Sequence, residues 1–436
     1  MFLKKFIFFV FITSAVCSQI AYATPPIKSQ HFPKILVVIF ENMSYAEIKD
    51  EPTFKKLVEY TGSGLDANGH LIKLAATLPR RDNNGNGYAF FSSYYNNHSG
   101  GSAPTRSSQP NYIAMTSGSV QGINDNDTHD FDVDNLAMEL NDAGVKWKVY
   151  AEDLPDPKPP LAPFPEIKPY AINANIDEQQ NDLLQLQYVK QYNAAKQQYE
   201  NSYAQNGFDS SSGCFTDSSY AENGEGKDDG YHRKHESLIS YLNIQNKYEN
   251  CKNIINAKHF VDDINNLPEV AFYIPNQIND GHNGSLPERV LHANAFLSKM
   301  MGTDPATGEP LPDAKHALFQ QYLANGGLLV LTFDEPSVTG NPDMAIYNLF
   351  AGKIVASGAY PDKFGKNAPI CYPAISDQTK YPQDKEGKYD PSHCNHYNLL
   401  KMIEENWGLR GLSNKNTSAG YKYAYALDKN IPNLWK

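Results

Sequence analysis

Acidic side chains follow three stretches of the sequence that have the pattern of buried strands. Glu41 ends the apolar run KILVVIF, Asp280 follows AFYIPNQIN, and the Asp334-Glu335 pair ends LLVLTF. One acid after a strand is ordinary turn chemistry, but the carboxyl ends of parallel strands form the ligand crevice of an open α/β sheet. Carboxylates gathered there without cations would repel one another and become protonated. The pattern therefore predicts a bound metal ion.

Four histidines accompany these acids as candidates. His282 lies two residues past Asp280, and His396 comes late in the chain. His235, in YHRKHES, could protonate a leaving alkoxide or bind phosphate, and a surface histidine in a charged run is the alternative. His129, among the acids of NDNDTHDF, fits a solvated loop better than a metal ligand.

Ser108 is the candidate nucleophile. In TRSSQPNYIAMTSG it precedes Gln109-Pro110, and the pattern after it predicts a helix that ends at Gly118, so we expect Ser108 at an N-cap-like position. The free N–H groups at a helix N-terminus suit a phosphate. A serine so placed is usually only a cap, but beside a divalent metal its hydroxyl would be acidified and could attack phosphorus. No G-x-S-x-G motif occurs, which argues against an ordinary serine esterase.

Strand and helix patterns alternate along the chain. Continuous apolar, β-branched runs predict buried parallel strands, and apolar residues at helical spacing predict the helices between them. The strands are expected at 34–40, 145–152, 268–276 and 326–335, and the helices at 52–60, 134–144, 287–301 and 398–409. This order predicts an α/β fold with a mostly parallel sheet flanked by helices on both faces.

One segment differs in composition from the rest. Residues 153–230 include PDPKPPLAPFPEIKP, a run rich in Gln, Asn and Tyr, and ENGEGKDDG. We expect an insertion that caps the sheet, with the α/β domain formed by residues 24–152 and 231–436. A long surface excursion without a role is the alternative.

The net charge and the N-terminal sequence limit which partners and which cellular location we expect. The chain has 436 residues and a formal net charge of −11, which disfavours nucleic acid and anionic membranes as partners. Two lysines, a short apolar run and AYA at 21–23 together predict a secretory signal at residues 1–23. A membrane anchor and a lipoprotein signal at Cys17 are the alternatives. We expect a secreted or periplasmic protein after cleavage near Ala23.

Four cysteines remain once the expected signal is removed. An even number in an exported chain predicts two disulfides, and four cysteines allow three pairings. Proximity in sequence favours Cys214 with Cys251 and Cys371 with Cys394. A zinc site is disfavoured for them, because no C-x-x-C spacing is present.

Six motifs in order resemble those of the bacterial and fungal phosphoesterase family of phospholipases C and acid phosphatases. They are Glu-Asn-x-Ser-Tyr (41–45), Ser-x-Pro-Asn-Tyr (108–112), Arg-Lys-His (233–235), Pro-Asn-x-x-Asn-Asp-Gly-His (275–282), Thr-Phe-Asp-Glu (332–335) and His-Tyr-Asn-Leu-Leu-Lys-Met-Ile-Glu (396–404). Each motif alone is weak, but six in order are specific. The family resembles the alkaline phosphatase superfamily in fold, so the resemblance implies an alkaline-phosphatase-like fold here.

The resemblance also implies a set of site residues, with Ser108 as nucleophile and His235 and His282 in contact with the phosphate or leaving group. Around one metal ion it places Glu41, Asn42, Ser108, Asp334 and Glu335. A second metal site, or further phosphate contacts, would use Asp280, His282 and His396. Glu335 stands where the wider superfamily often has a histidine, so the ligation is richer in oxygen. We expect a divalent metal, zinc as first candidate, with the number of ions open.

Three functions are compatible with these residues. The first, favoured by the resemblance, is a phospholipase C that hydrolyses glycerophospholipids such as phosphatidylcholine, with peripheral membrane contact through the tyrosine-rich insertion. The second is an acid phosphatase that acts on small phosphomonoesters. The third, of another class, is a non-catalytic binding protein stabilised by metal.

Overall fold

A computed structural model describes most of the chain. The described residues are 28–65, 71–74, 81–92, 94–96, 107–154, 230–337, 345–360, 371–373, 394–412, 418–429, 431 and 433–436. The signal predicted at 1–23, Cys214 and nearly all of the insertion predicted at 153–230 lie outside these residues, so those predictions stay predictions. None of the helices within the described part is long and apolar enough to cross a bilayer.

The regular elements of the described residues follow the predicted alternation. The strands are β1 (Ile35–Phe40), β2 (Ser63–Leu65), β3 (Leu71–Lys73), β4 (Gly87–Phe91), β5 (Trp147–Ala151), β6 (Ile254–Asn256), β7 (Val270–Ile274), β8 (Leu328–Phe333), β9 (Asn348–Gly352) and β10 (Gly358–Tyr360). The α-helices are α1 (Tyr45–Ile48), α2 (Pro52–Glu59), α3 (Ser108–Ser117), α4 (Leu136–Asp142), α5 (Leu242–Gln245), α6 (Tyr248–Cys251), α7 (Phe260–Asp263), α8 (Leu286–Met301), α9 (Leu318–Ala324), α10 (His396–Asn406) and α11 (Ala419–Tyr423).

Eight of the described strands form one mixed sheet in the order β10-β4-β9-β8-β1-β7-β5-β6, and β2 and β3 form a separate two-stranded sheet. β1 runs parallel to both β7 and β8, and β5 runs parallel to β6 and β7. β9 is antiparallel to its neighbours β4 and β8. The predicted α/β fold with a mostly parallel sheet is confirmed, and β9 is an antiparallel strand that the sequence patterns did not predict.

The central strands are apolar because they are covered on both faces. Every residue of β1 and of β8 is buried. At their ends the ring of Phe40 stacks on Phe333 with centroids 5.2 Å apart, and Phe54 and Phe296 meet Phe40 edge-on at 5.5 and 5.9 Å. This aromatic cluster holds the carboxyl ends of β1 and β8 in place, directly before the acids that follow them.

The predicted disulfide between Cys371 and Cys394 is confirmed, with Cα atoms 5.2 Å apart. Cys251 is also disulfide-bonded, and its partner lies outside the described residues. Cys394 comes two residues before His396, the first residue of α10. The bond therefore ties the start of α10 to the segment 371–373.

Two buried carboxyl groups face each other between α4 and α10. Glu139 is 1% exposed, and neither of its carboxylate oxygens accepts a hydrogen bond among the described residues. Glu404 accepts a hydrogen bond from the Tyr421 hydroxyl at 2.6 Å and pairs with Lys401 at 3.0 Å. Burial, and then the charge of Glu404, raise the pKa of Glu139 to about 8, and burial also raises the pKa of Glu404.

This pair predicts a pH-dependent stability. The raised pKa means that the folded state binds a proton at Glu139 more tightly than the unfolded state does. The protonated carboxyl therefore adds fully to the free energy of unfolding below the ordinary pKa of about 4.5, and this contribution is lost as the pH rises toward about 8. Glu139→Gln is neutral throughout, so its Tm relative to wild type should rise between about pH 5 and about pH 8. Glu249→Gln, at a side chain 77% exposed, should show no such change. A constant Tm difference between Glu139→Gln and wild type would contradict the prediction.

Candidate functional site

The strand-end acids meet at the carboxyl edge of the sheet. In the parallel register, Phe40 of β1 lies beside Phe333 of β8, so the next residues, Glu41 and Asp334, are neighbours. The Asp334 N–H donates to the Phe40 carbonyl at 3.0 Å, and the Glu41 N–H donates to the Asp280 carbonyl at 3.0 Å. The ends of β1 and β8, and the segment that follows β7, therefore bring the three predicted acidic positions to one place.

Glu41 lies at the centre of the site. Its Oε2 accepts a hydrogen bond from the Ser108 hydroxyl at 2.8 Å and another from the Asn42 side-chain amide at 2.7 Å. Its Oε1 accepts no hydrogen bond among the described residues and lies 3.3 Å from Nε2 of His235. Asn42 adopts a left-handed backbone (φ 48°), which asparagine tolerates better than most residues. One carboxylate thus contacts both the candidate nucleophile and a histidine.

Several buried oxygens in this cluster have no donor among the described residues. They are Oε1 of Glu41, Oδ1 of Asn42 and Oδ2 of Asp334. Burial is the main reason that the pKa values of Glu41 and Asp280 are well raised and that of Asp334 rises to about 6. Buried carboxylates without partners are costly, and a hard divalent cation is the partner that oxygen donors favour. These residues therefore fit a metal ion.

His235 is the second contact of Glu41. The Gln277 amide nitrogen lies 2.7 Å from its Nδ1, and Oδ2 of Asp280 lies 3.5 Å from the same atom. The Tyr112 ring stacks on the imidazole, with centroids 5.5 Å apart and planes 14° apart. Burial holds the pKa of His235 well below its usual value, so the ring is neutral near pH 7. A neutral, oriented imidazole suits either a metal or a phosphoryl oxygen.

His282 lies close to the same cluster. Its ring centroid is 5.5 Å from that of His235, and its Nδ1 lies 2.9 Å from the Asn283 side-chain oxygen. Its backbone N–H donates to Oδ1 of Asp280 at 2.7 Å, which ties the histidine to the acid two residues before it. Burial lowers its pKa to about 4. Ligand atoms of Glu41, His235 and His282 all lie within 4.8 Å of one another, so these three can hold a cation.

His396 is in the site but its ring nitrogens are both engaged. Nε2 lies 2.7 Å from the Asp334 carbonyl oxygen, and Nδ1 lies 3.0 Å from the Tyr94 hydroxyl. Because a carbonyl only accepts, Nε2 carries the proton and Nδ1 accepts from Tyr94. Burial lowers the pKa of His396 to about 4, in keeping with a neutral ring. In this arrangement His396 holds the backbone of Asp334 in position, rather than presenting a free nitrogen to a metal.

Helix α3 carries the candidate nucleophile in its first turn. The helix begins at Ser108 itself, and the N-cap is Ser107, so the predicted N-cap-like position is off by one residue. The Ser108 hydroxyl donates to Oε2 of Glu41 and does not cap the helix. One turn on, the Asn111 side-chain amide donates to Glu335 at 3.3 Å, which places this buried acid against the same helix.

Several residues of the site were not singled out from the sequence. Gln277 and Tyr112 fall within two of the quoted motifs, and their chemistry became visible only from their contact with His235. Tyr94 and Arg289 carried no sequence signal at all. Arg289 is buried and donates from Nη2 to the Asn42 carbonyl at 2.5 Å, so it supports the turn after β1. His129 contacts Asp125, with Nε2 2.5 Å from Oδ1 of that residue.

A mostly parallel sheet whose acidic residues gather beside a buried serine defines a candidate metal-assisted hydrolytic centre. A model of the phosphoesterase family matches residues 83–410. The chain belongs to the phosphoesterase family, as the six motifs predicted.

Curated relatives and a solved structure add more distant similarities. The chain is 25% identical over 206 residues to a probable acid phosphatase of Kluyveromyces lactis, a match that spans 47% of this chain and 38% of that one. It is 24% identical over 184 residues to an acid phosphatase of Aspergillus fumigatus, over 42% and 31% of the two chains. The chain thus spans about a third of the length of these relatives. The phosphonate monoester hydrolase of Agrobacterium radiobacter aligns over 93% of this chain and 79% of its own at 10% identity, with a TM-score of 0.33.

Proposed function

We propose that this protein is a metal-dependent phosphoester hydrolase with Ser108 as its nucleophile. The observation that carries the proposal is the 2.8 Å hydrogen bond from the Ser108 hydroxyl to Glu41, inside a buried cluster of oxygens without donors. A cap or core serine has no need of such surroundings, whereas a nucleophile needs an acceptor for its proton. Membership of the phosphoesterase family supports the same chemistry.

The proposed metal site follows from the donor atoms. Glu41, Asn42 and Asp334 supply the oxygens without partners, and Ser108 and Glu335 complete the predicted set around one ion. Glu41 with His235 and His282 can hold an ion beside it, and Asp280 lies against His235. When bound, a divalent metal such as zinc supplies positive charge that acidifies a hydroxyl and neutralises the phosphoryl oxygens. His396 acts as a positioning residue through the Asp334 carbonyl.

The residues perform the reaction in two steps. The bond from the Ser108 oxygen to phosphorus forms as the bond from phosphorus to the leaving oxygen breaks. The hydroxyl proton passes to Glu41, and the departing alkoxide takes a proton from water to become the alcohol. Ser108 is the first residue of α3, so the positive end of the helix dipole lies beside the serine oxygen and favours the negative charge of a phosphoryl group. His235 accepts from the Gln277 amide at Nδ1, so its Nε2 carries the proton and can donate a hydrogen bond to a phosphoryl oxygen. His282 donates from Nδ1 to the Asn283 side-chain oxygen, so its Nε2 offers a lone pair, which suits a metal ion. Water then hydrolyses the phosphoserine and releases phosphate.

We propose a phosphomonoester as the substrate, because the curated relatives named above are acid phosphatases. Phospholipase C, favoured by the motifs, is the second candidate. Two apolar side chains of α8, Leu286 and Leu291, support it. They follow shortly after His282 and are 37% and 59% exposed, and exposed apolar side chains can contact a lipid surface. The Cys371–Cys394 disulfide supports the proposed export to an oxidising compartment.

Parallel release assays on p-nitrophenyl phosphate and on phosphatidylcholine vesicles, with and without chelator, test the proposed function. The monoester should be hydrolysed, and chelation should reduce the rate at least about a hundredfold until zinc is restored. If only phosphatidylcholine is hydrolysed, the proposed activity is that of a phospholipase C and not that of a phosphatase. Inertness on both substrates, with or without metal, would favour the binding protein and end the proposal.

A further inference from the structure

A loop that follows α3 returns to the start of that helix. In this loop, residues 124–130, the side-chain oxygen of Asn126 accepts a hydrogen bond from the backbone N–H of Gln109 at 3.0 Å. Gln109 is the second residue of α3 and directly follows Ser108. The loop therefore contacts the helix beside the candidate nucleophile, although 17 positions separate the two bonded residues in the sequence.

Asn126 provides the cap of α3 that the adjacent residues do not provide. A helix is normally capped by the residue just before its first turn, whose side chain accepts from the N–H of the second or third helical residue. Here that residue is Ser107, whose side chain makes no cap hydrogen bond and donates to the Asn124 carbonyl at 3.0 Å instead. The Ser108 hydroxyl donates to Glu41. Because Asn126 is the acceptor, neither serine hydroxyl is needed as a cap.

The same loop is also attached to the turn that carries His235. Oδ1 of Asp130 accepts a hydrogen bond from Nη2 of Arg233 at 2.5 Å. Arg233 is 8% exposed and begins the 3₁₀ turn Arg233–His235. The loop is therefore held at a second point, so Asn126 contacts the helix from a segment whose position does not depend on α3 alone.

A role in the stability of α3 as a whole is the weaker explanation of this cap. All ten residues of α3 are buried, and packing supplies most of the stability of such a helix. A cap acts locally on the first turn, whose position decides where the Ser108 oxygen lies. The Gln109 N–H is occupied by Asn126, and Pro110 has no N–H, so these two residues offer no backbone donor to a substrate. Asn126 thus acts through Ser108 and not on the substrate itself.

We infer that Asn126 is a positioning residue, which caps α3 from the loop 124–130 and so holds the Ser108 oxygen in the position from which it attacks phosphorus. The inference rests on the proposed function for the role of Ser108, and it deepens that function by assigning the residue that orients the nucleophile. A misplacement of a reacting atom by about 1 Å can lower a rate about a hundredfold, so loss of the cap should be visible in kcat.

Asn126→Ala should lower kcat for p-nitrophenyl phosphate by about 10- to 100-fold and leave KM within about threefold, because Asn126 does not contact the substrate. Asn126→Asp keeps an acceptor oxygen and is an equally good cap, so it should recover most of kcat. Asn135→Ala is the matched control, because Asn135 caps α4 by accepting from the Met138 N–H at 3.2 Å, and α4 carries no residue of the proposed site. It should lower Tm, as loss of a cap does, and leave kcat unchanged. An unchanged kcat in Asn126→Ala would overturn the inference.

Two further measurements separate this role from a structural one and from a failure of the proposed function. Zinc content per chain should be equal in wild type and Asn126→Ala, and a loss of kcat that only follows a loss of zinc would overturn the inference. Amide hydrogen exchange in the first turn of α3, measured by mass spectrometry without substrate, should be faster in Asn126→Ala and near wild type in Asn126→Asp. If wild type hydrolyses no phosphoester, the proposed function fails. Faster exchange in Asn126→Ala would then still support the placement of the helix start by Asn126, and equal exchange would overturn it.

Discussion

Ser108→Ala is expected to lower kcat for the preferred phosphoester at least about a thousandfold, as removal of a covalent nucleophile does in other hydrolases. The reason is local, because Ser108 is the hydroxyl that hydrogen-bonds to Glu41 at 2.8 Å. Metal content should stay near that of wild type, since Glu41 and Asp334 still offer their oxygens. Steady-state kinetics and elemental analysis of the purified variant provide the two measurements.

Ser107→Ala is the matched control for this change. Ser107 is adjacent in sequence and its hydroxyl donates to the Asn124 carbonyl at 3.0 Å, away from Glu41. We expect its kcat to stay within about a factor of two or three of wild type, because a surface hydrogen bond of this kind is worth about 1 kcal/mol. Substantial turnover by Ser108→Ala would exclude the covalent route and leave direct attack by water.

Glu41→Gln should have the second largest effect, the combined loss of bound metal and of activity. Glu41 is fully buried and offers Oε1 without a donor, so its amide replacement removes one charge from the proposed ligand set. Loss of a direct ligand should weaken metal binding by more than the roughly 10- to 100-fold seen for supporting residues. Elemental analysis and kcat at saturating zinc measure the two losses.

Without metal, Glu41→Gln is expected to be at least as stable as wild type, although it loses activity. Burial, and then the charges of Asp334 and Asp280, raise the pKa of Glu41, so its ionised form disfavours folding when no metal is present. In chelator near pH 7, Glu41→Gln should therefore unfold at a Tm no lower than wild type, while added zinc should stabilise only wild type. Glu249→Gln, at an exposed ion pair with Lys252, should match wild type in both conditions. A Glu41→Gln variant with full metal content would contradict this assignment.

The sequence predicted the parts of the fold that depend on local pattern. β1 and β8 are continuous apolar runs because both faces of a central parallel strand are covered, and that burial is what the pattern reports. Their register then places Glu41 beside Asp334 without further information. β9, Asn348–Gly352, was not predicted because its short, mixed sequence becomes a strand only between β4 and β8.

The site was less predictable where it depends on contacts between distant segments. The six motifs grouped the residues, but they could not show that His235 lies 3.3 Å from Glu41 or that Tyr94 and the Asp334 carbonyl occupy both nitrogens of His396. Spacing along the chain carries no information about which ring nitrogen faces which atom. The N-cap of α3 is Ser107 rather than Ser108, and two adjacent serines give the sequence pattern no means of choosing between them.

The most direct test of the central claim is to identify the residue that is phosphorylated during turnover. The enzyme would be mixed with p-nitrophenyl phosphate, quenched in acid and digested for mass spectrometry. The account predicts phosphate on the peptide that contains Ser108, and its absence from Ser108→Ala treated in the same way. Phosphate on another residue, or none during demonstrable turnover, would contradict it.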